Sequence, residues 1–192
     1  MTSDLPSSVF LSPTKTRILN AALDLFCDHG VAGTSLQMIA EAVGVTKAAI
    51  YHQFPAKDDI LQATGQLIFD TISSIIDHAD AQPTAAGARA VMIEDLIDLA
   101  ASHRRIAAFI QRDPVIVRLL EEDETLHQMF RRLNAIMLDG DYSDGAKVAL
   151  GMLLTAIGCG VRHPLLRNVD DETLREHMRA AARGLEQQLG TG

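Results

Sequence analysis

Residues 34–57, Thr-Ser-Leu-Gln-Met-Ile-Ala-Glu-Ala-Val-Gly-Val-Thr-Lys-Ala-Ala-Ile-Tyr-His-Gln-Phe-Pro-Ala-Lys, decide how this chain folds. They read as two short helices around a tight turn. Leu36, Ile39, Ala40 and Val43 share one helical face, and Thr34 followed three residues later by Gln37 has the form of a capping box. Gly44 can take the left-handed conformation that ends a helix, so the chain turns there and Val45 plugs the corner. Thr46 then caps a second helix whose inner face is expected to be Ala49, Ile50 and Phe54. Two helices in this relation form a helix-turn-helix, which places its second helix in the DNA major groove.

The rest of the chain supplies helices for this unit to rest on. Helix one is expected from about Pro13 to His29, buried along Ile18, Ala22, Leu25 and Phe26, with Gly30 just past its end. Phe54-Pro55 stops the second helix of the motif, and a long helix begins at Lys57 and runs to about His78, enough to join two domains. Further helices are expected to about His103, from Arg104 to Arg112, from about Glu124 to Leu138, from Ala146 to Val161 and from Asp170 to Leu189, with Asp113-Pro114 restarting the chain between the second and third of these. Leu126, Met129, Phe130, Leu133 and Met137 form one buried stripe, and Leu174, Met178, Ala181 and Leu185 another. The Ala146–Val161 segment is apolar on nearly every side and carries Gly151, Gly158 and Gly160, each costing a helix about 1 kcal/mol relative to alanine. Such small residues make sense where another backbone comes very close. With aromatics at 4% and no period-two alternation, the fold class is all-α. Residues 1–12 are expected to be a disordered leader, 13–56 a three-helix DNA-binding domain and 57–192 a helical ligand-binding and dimerisation domain.

Charge restricts the function. A net charge of -8 over 192 residues argues against a protein that coats nucleic acid or anionic membrane without specificity. The first sixty residues hold Lys15, Arg17, Lys47 and Lys57 against Asp4, Asp24, Asp28, Glu41, Asp58 and Asp59, so the DNA-binding segment itself is not basic. Cys27 and Cys159 lie in separate helices without metal-ligand spacing and read as thiols in a reducing cytoplasm. The histidines are scattered, and neither a phosphate loop nor a nucleophile motif stands out, so no metal, cofactor or enzymatic activity is expected.

Ile18 to Phe26, then Gly30, Thr34-Ser35, Ile39-Ala40, Val43 to Lys47, Ile50-Tyr51, Phe54 and Lys57 together resemble the DNA-binding domain of TetR-family transcriptional regulators over roughly the first third of the chain. Ala48 departs from the family's frequent glycine and Gln53 from its frequent histidine. The resemblance implies a homodimeric regulator, most simply a repressor, released from double-stranded operator DNA by a small ligand. It also implies phosphate contacts by Tyr51 and Lys57.

Chemistry adds candidates beside those two. Lys47 can donate to guanine, Gln37 can pair with adenine, and Ala48 can meet a thymine methyl at the start of the helix that Thr46 caps. His52 is placed for phosphate, and the amides at Thr34-Ser35 offer an anion site. By family resemblance, an apolar effector cavity is expected among Phe69, Ile72, Met92, Leu96, Phe109, Met129, Leu133 and Met137, with Arg105, Arg112 or His163 as a polar anchor. A dimer interface is expected from Gly151, Leu154, Thr155, Gly158, Leu174, Ala181 and Leu185. The competing reading is a helical small-molecule-binding or interaction protein that has lost operator binding, which the acidic N-terminal domain makes physically reasonable.

Overall fold

Ser12 starts the first helix by accepting a hydrogen bond from the Lys15 amide at 3.3 Å, with Pro13 in the first helical position, where a missing N–H costs nothing. The computed structural model describes residues 11–116, 118, 123–161, 163–186 and 189; the expected leader lies, up to residue 10, outside them. The helices are α1 (Pro13–Gly33), α2 (Leu36–Val43), α3 (Lys47–Gln53), α4 (Lys57–Asp80), α5 (Ala85–Ser102), α6 (Arg104–Arg112), α7 (Glu124–Leu138), α8 (Asp144–Gly160) and α9 (Asp171–Glu186). A 3-10 turn, Pro164–Leu166, precedes α9. All regular structure among the described residues is helical.

Local chemistry explains the boundaries. α1 breaks at Gly30 (φ 73°, ψ 164°), where the sequence places its end, and one further turn carries the chain to Thr34. Ser35, not Thr34, caps α2, accepting from the Met38 amide at 3.2 Å; Thr34 is buried and donates its hydroxyl to the Gly30 carbonyl at 2.9 Å. Both residues are good caps, and adjacent candidates cannot be separated by type. Gln37 therefore closes no capping box and instead pairs with Glu41 one turn on, at 2.7 Å. Gly44 takes the left-handed conformation at φ 77°, and Thr46 caps α3 through the Ala49 amide at 3.2 Å. Ala49 faces solvent, so Ile50 and Phe54 alone turn inward from this segment.

Two apolar cores form, and their boundary falls inside α4. The first gathers Ile18, Leu19, Leu23 and Phe26 of α1 with Ile39, Ile50 and Phe54, and takes Ile60, Leu61 and Leu67 from the first half of α4. The second holds Ile75 and Ile76 from its far half with Met92, Ile97, Met129, Leu133, Met137 and Leu153. At 1.5 Å per residue the 24 residues of α4 span about 36 Å, so one rigid element is anchored in both cores. α6 joins it, since Ile106 and Phe109 belong to the first core and Phe109 stacks on Phe26 at 6.3 Å between ring centroids.

On α5, Ile93 and Ile97 are buried with Met92 and Ala100, while Val91, Leu96 and Leu99 are half-buried. α9 buries Ala182 in place of Ala181 and lies on α5 through Arg175 and Arg179, which both reach Asp98, at 3.2 and 3.0 Å. The largest departure is α8. Val148 and Met152 are 62% and 58% exposed, and Gly151, Thr155 and Ala156 lie open with them, so the helix keeps one apolar face uncovered within the protomer.

Gly30 and Gly44, two of the glycines at positive φ, should respond differently to substitution. Nothing lies within 4 Å of a Cβ built on Gly44, so Gly44→Ala carries only backbone strain, about 1 to 2 kcal/mol. At Gly30 the same atom would stand 3.2 Å from Asp113 Oδ2, in a backbone region nearly reserved for glycine, so Gly30→Ala should cost more, about 2 to 3 kcal/mol. Urea unfolding of the two variants should rank them in that order.

Candidate functional site

α3 is seven residues long and depends on its neighbours for position. Ile50 is fully buried beneath it, and Arg17 from α1 donates to the Val43 carbonyl at 2.8 Å, fixing the end of α2 that leads into the turn. With the helix seated by Ile50, Lys47, Ala48, Tyr51 and His52 face solvent on the opposite side, beside the exposed Ala49. Ser35, Gln37 and Thr46 are exposed at the two helix starts next to them. Seven of the nine candidate DNA residues thus share an accessible surface. The Lys47 ammonium lies 5.7 Å from the Tyr51 ring centroid, a cation–π distance that pre-positions both groups.

Two candidates are placed otherwise. Thr34 is buried, as described above. The Lys57 ammonium donates to the Val31 and Thr34 carbonyls at 2.8 and 3.0 Å, so it neutralises the carbonyl end of α1's last turn. Lys15 sits over the Phe54 ring at 5.5 Å. Arg17 and Lys57 are therefore occupied by backbone oxygens, and Lys47 is the cation that opens the exposed helix.

Among the acidic residues, Glu41, which accepts from Gln37, and Asp58 stay exposed, while three others are tied up elsewhere. Asp24 and Asp28 on α1 meet Arg105 of α6, at 3.2 and 2.6 Å, and the Arg105 guanidinium also donates to the Asp24 carbonyl. Asp59 accepts from the Ala56 amide at 2.8 Å and caps α4. These carboxylates are paired or capping away from α3, so composition alone overstates how acidic the exposed helix surface is. Asp113, just past α6, completes the inter-domain contact: it is buried, with Oδ2 accepting from the Val31 amide and Oδ1 from the Val115 amide, each at 2.9 Å.

A second site lies in the C-terminal half. A cavity of about 360 Å³, partly open to solvent, is lined by Ile68, Thr71 and Ile72 of α4, Leu96 and Leu99 of α5, Ile106 and Ile110 of α6, Phe130 and Leu133 of α7, and Leu154 and Thr155 of α8, with His103 at the α5–α6 joint. Of the expected lining residues, Ile72, Leu96 and Leu133 are there. Met92, Met129 and Met137 are buried in the second core, Phe69 packs against that core, and Phe109 stacks in the first. Helical periodicity marks an inward residue but not whether atoms or a void await it. Arg105 is held by Asp24 and Asp28, His163 Nδ1 accepts from the Leu165 amide at 3.3 Å, and the Arg112 side chain lies outside the described residues. The polar group the sequence left unassigned is His103.

The architecture is a helix-turn-helix set on a helical body that carries a partly open cavity. Residues 18–64 match the family described as bacterial regulatory proteins, tetR family. IcaR of Staphylococcus aureus (strain Newman), a negative transcriptional regulator of the biofilm operon icaADBC, is 36% identical over 62 residues, 32% of this chain and 33% of that one. UidR of Escherichia coli (strain K12), an HTH-type transcriptional regulator, is 37% identical over 51 residues, 27% of this chain and 26% of that one. The chain thus spans about a third or less of the length of these curated relatives. Over nearly the whole chain the fold is that of solved regulators. The ketosteroid transcriptional regulator KstR2 of Mycobacterium tuberculosis superposes with a TM-score of 0.74 at 12% identity, covering 95% of this chain and 97% of that one. The TetR-family regulator PfmR of Thermus thermophilus superposes with 0.69 at 21%, covering 95% and 100%. The chain carries the DNA-binding domain of the TetR family of transcriptional regulators.

The placement of Lys57 gives a stability prediction. Lys57→Met removes a charged donor from two carbonyls, and should lower the unfolding free energy by about 1 to 3 kcal/mol, read in urea. Lys47→Met, which loses no oxygen partner among the described residues, should unfold within about 0.5 kcal/mol of the parent.

Proposed function

We propose that this protein is a homodimeric transcriptional repressor that binds a two-fold-symmetric operator and leaves it when a small apolar ligand fills the C-terminal cavity. The observation that carries the reading is the exposed face of α3, with Lys47, Ala48, Tyr51 and His52 outward on a capped helix-turn-helix within the matched family segment. Lys47 and Ala48 read bases, Gln37 assists from α2, and Tyr51, His52, Ser35 and Thr46 hold phosphates.

Dimerisation through α8 and α9 explains the uncovered apolar face. Val148, Gly151, Met152 and Thr155 on α8, with Ala181 and Gly184 on α9, offer small and apolar groups that a second copy would bury as a four-helix bundle. Leu185 is half-buried at the edge of this face. Leu174 is 3% exposed and belongs to the protomer's own core, while Leu154 and Gly158 line the cavity, so these three supply less to a partner than their sequence positions imply. Such a dimer would carry two recognition helices to half-sites about 34 to 36 Å apart.

The cavity can reach those helices through α4 and α6. Ile106 lines the cavity and also belongs to the first core, and α4 gives Ile68 and Ile72 to the cavity and Leu67 to that core. A ligand favouring a different spacing of these helices would move Arg105 and Asp113, hence α1, and shift the population away from the DNA-matched dimer. The acidity of the first sixty residues favours the alternative of a ligand-binding protein without an operator.

Fluorescence anisotropy with DNA upstream of the gene separates the two. Specific binding should show only a shallow slope in log affinity against log salt, because uncharged groups hold the phosphates; a slope near about -2 would mean that Lys57 of each subunit leaves its carbonyls for phosphate, at about 0.9 each. Lys47→Ala should cost about 1 to 3 kcal/mol on the cognate site and less on random DNA. Equal binding of cognate and random DNA, unaltered by Lys47→Ala, would remove the repressor reading. Gly151→Leu, whose side chain meets nothing within the protomer, should sediment as a folded monomer.

A further inference from the structure

Most of the cavity wall is hydrocarbon, and its polar groups are few. Among the lining residues only Thr71, His103 and Thr155 carry a polar side-chain atom. The Thr71 hydroxyl already donates to the Leu67 carbonyl at 2.8 Å. No Lys, Arg, Asp or Glu lines the cavity among the described residues; the guanidinium groups of Arg104 and Arg105, next to His103 in sequence, are turned to Asp171 and to Asp24 and Asp28.

His103 is held at the joint between α5 and α6. Its amide donates to the Leu99 carbonyl and its carbonyl accepts from the Ala107 amide, both at 3.0 Å, so each helix fixes its backbone. Its Nδ1 is buried and has no hydrogen-bond partner among the described residues. As the ring stands Nδ1 is closed to a molecule the size of water, so a ligand in the cavity meets it once the ring turns about its Cβ–Cγ bond, which exchanges an unpartnered buried atom for a hydrogen bond. Burial also pushes the imidazole below its ordinary range, so the ring is neutral at pH 7 to 8.

We infer that His103 is the polar anchor of the effector site, and that the effector is an uncharged amphiphile with one hydroxyl or carbonyl head and an apolar body. This rests on the ligand-released reading above and adds the chemical class. A neutral imidazole serves as donor to a carbonyl or acceptor from a hydroxyl. A carboxylate would enter a site lined by no cation, and to pair with His103 it would have to protonate a ring that burial keeps neutral. Size is bounded as well: at roughly 30 Å³ per non-hydrogen atom, by analogy with liquid water, 360 Å³ holds about a dozen.

Calorimetric titration of the protein at pH 8 with 1-decanol and with decanoate tests this, since the two share a chain and differ in the charge of the head. 1-Decanol should bind at least tenfold more tightly than decanoate. His103→Leu should weaken 1-decanol at least tenfold, while His103→Gln, which keeps a hydrogen-bonding head, should stay within threefold of the parent. Without ligand, His103→Leu should melt no lower than the parent, because the lost atom had no partner among the described residues. Decanoate binding as tightly as decanol, or His103→Leu binding decanol as the parent does, would overturn the anchor and leave the cavity reading standing if decanol still releases DNA. If neither compound binds the parent, the amphiphile assignment falls; if in addition Leu96→Trp, which fills the cavity, leaves DNA release by gene-neighbourhood metabolites unaltered, the cavity reading falls too.

Discussion

One buried carboxylate holds the two halves of this protein together. Asp113 gives one oxygen to the Val31 amide, just past the break in α1, and the other to the Val115 amide, where the chain restarts after α6. Both amides are left without a helical partner by a change of chain direction, and one side chain satisfies both. Removing it would leave buried donors unpaired on either side of the domain boundary. The glycine at position 30 belongs to the same constraint, because its backbone conformation brings Val31 to the carboxylate and its missing side chain leaves room for it.

Around that joint, α6 acts as a second tie parallel in purpose to α4. Arg105, Phe109 and Asp113 touch α1 through an ion pair, a ring stack and a hydrogen bond, while Ile106 and Ile110 turn to the cavity. Movement of α6 therefore cannot be absorbed within the C-terminal half alone. Rigid elements shared by two cores transmit displacement because close-packed interiors rearrange between discrete arrangements and do not deform smoothly.

The motif from Thr34 to Lys57 was legible because its signals are local. Capping residues, one glycine and an apolar period lie within a few residues of one another, and the structure moved them only by small amounts, as with Ser35 for Thr34 and Ala49 turning outward. What could not be read were relations across the chain. Nothing in the spacing tells that Lys57 meets carbonyls 23 and 26 residues away, or that Arg105 answers Asp24 and Asp28. The α7 stripe gave Met129, Leu133 and Met137 correctly as inward but not Phe130, which is 36% exposed, and it gave the wrong occupant: Met92, Met129 and Met137 are core, and the void opens one row over, at Leu96, Leu99 and Phe130. His103 had no signature at all, being a single histidine whose meaning comes from an atom left without a partner among the described residues.

The sorting of charge in the N-terminal domain bears on how such a protein would search a genome. Arg17 and Lys57 are occupied by carbonyl oxygens, so few cations are left to hold arbitrary phosphates. Bulk chromosome offers about 10⁶ to 10⁹ competing sites, and a strongly basic surface would distribute most copies among them. In a regulator of the proposed kind, a sparsely charged reading head would linger less on the wrong sequence, so a small number of molecules would suffice to keep one control region occupied, and those displaced by an effector would not be held nearby on flanking DNA.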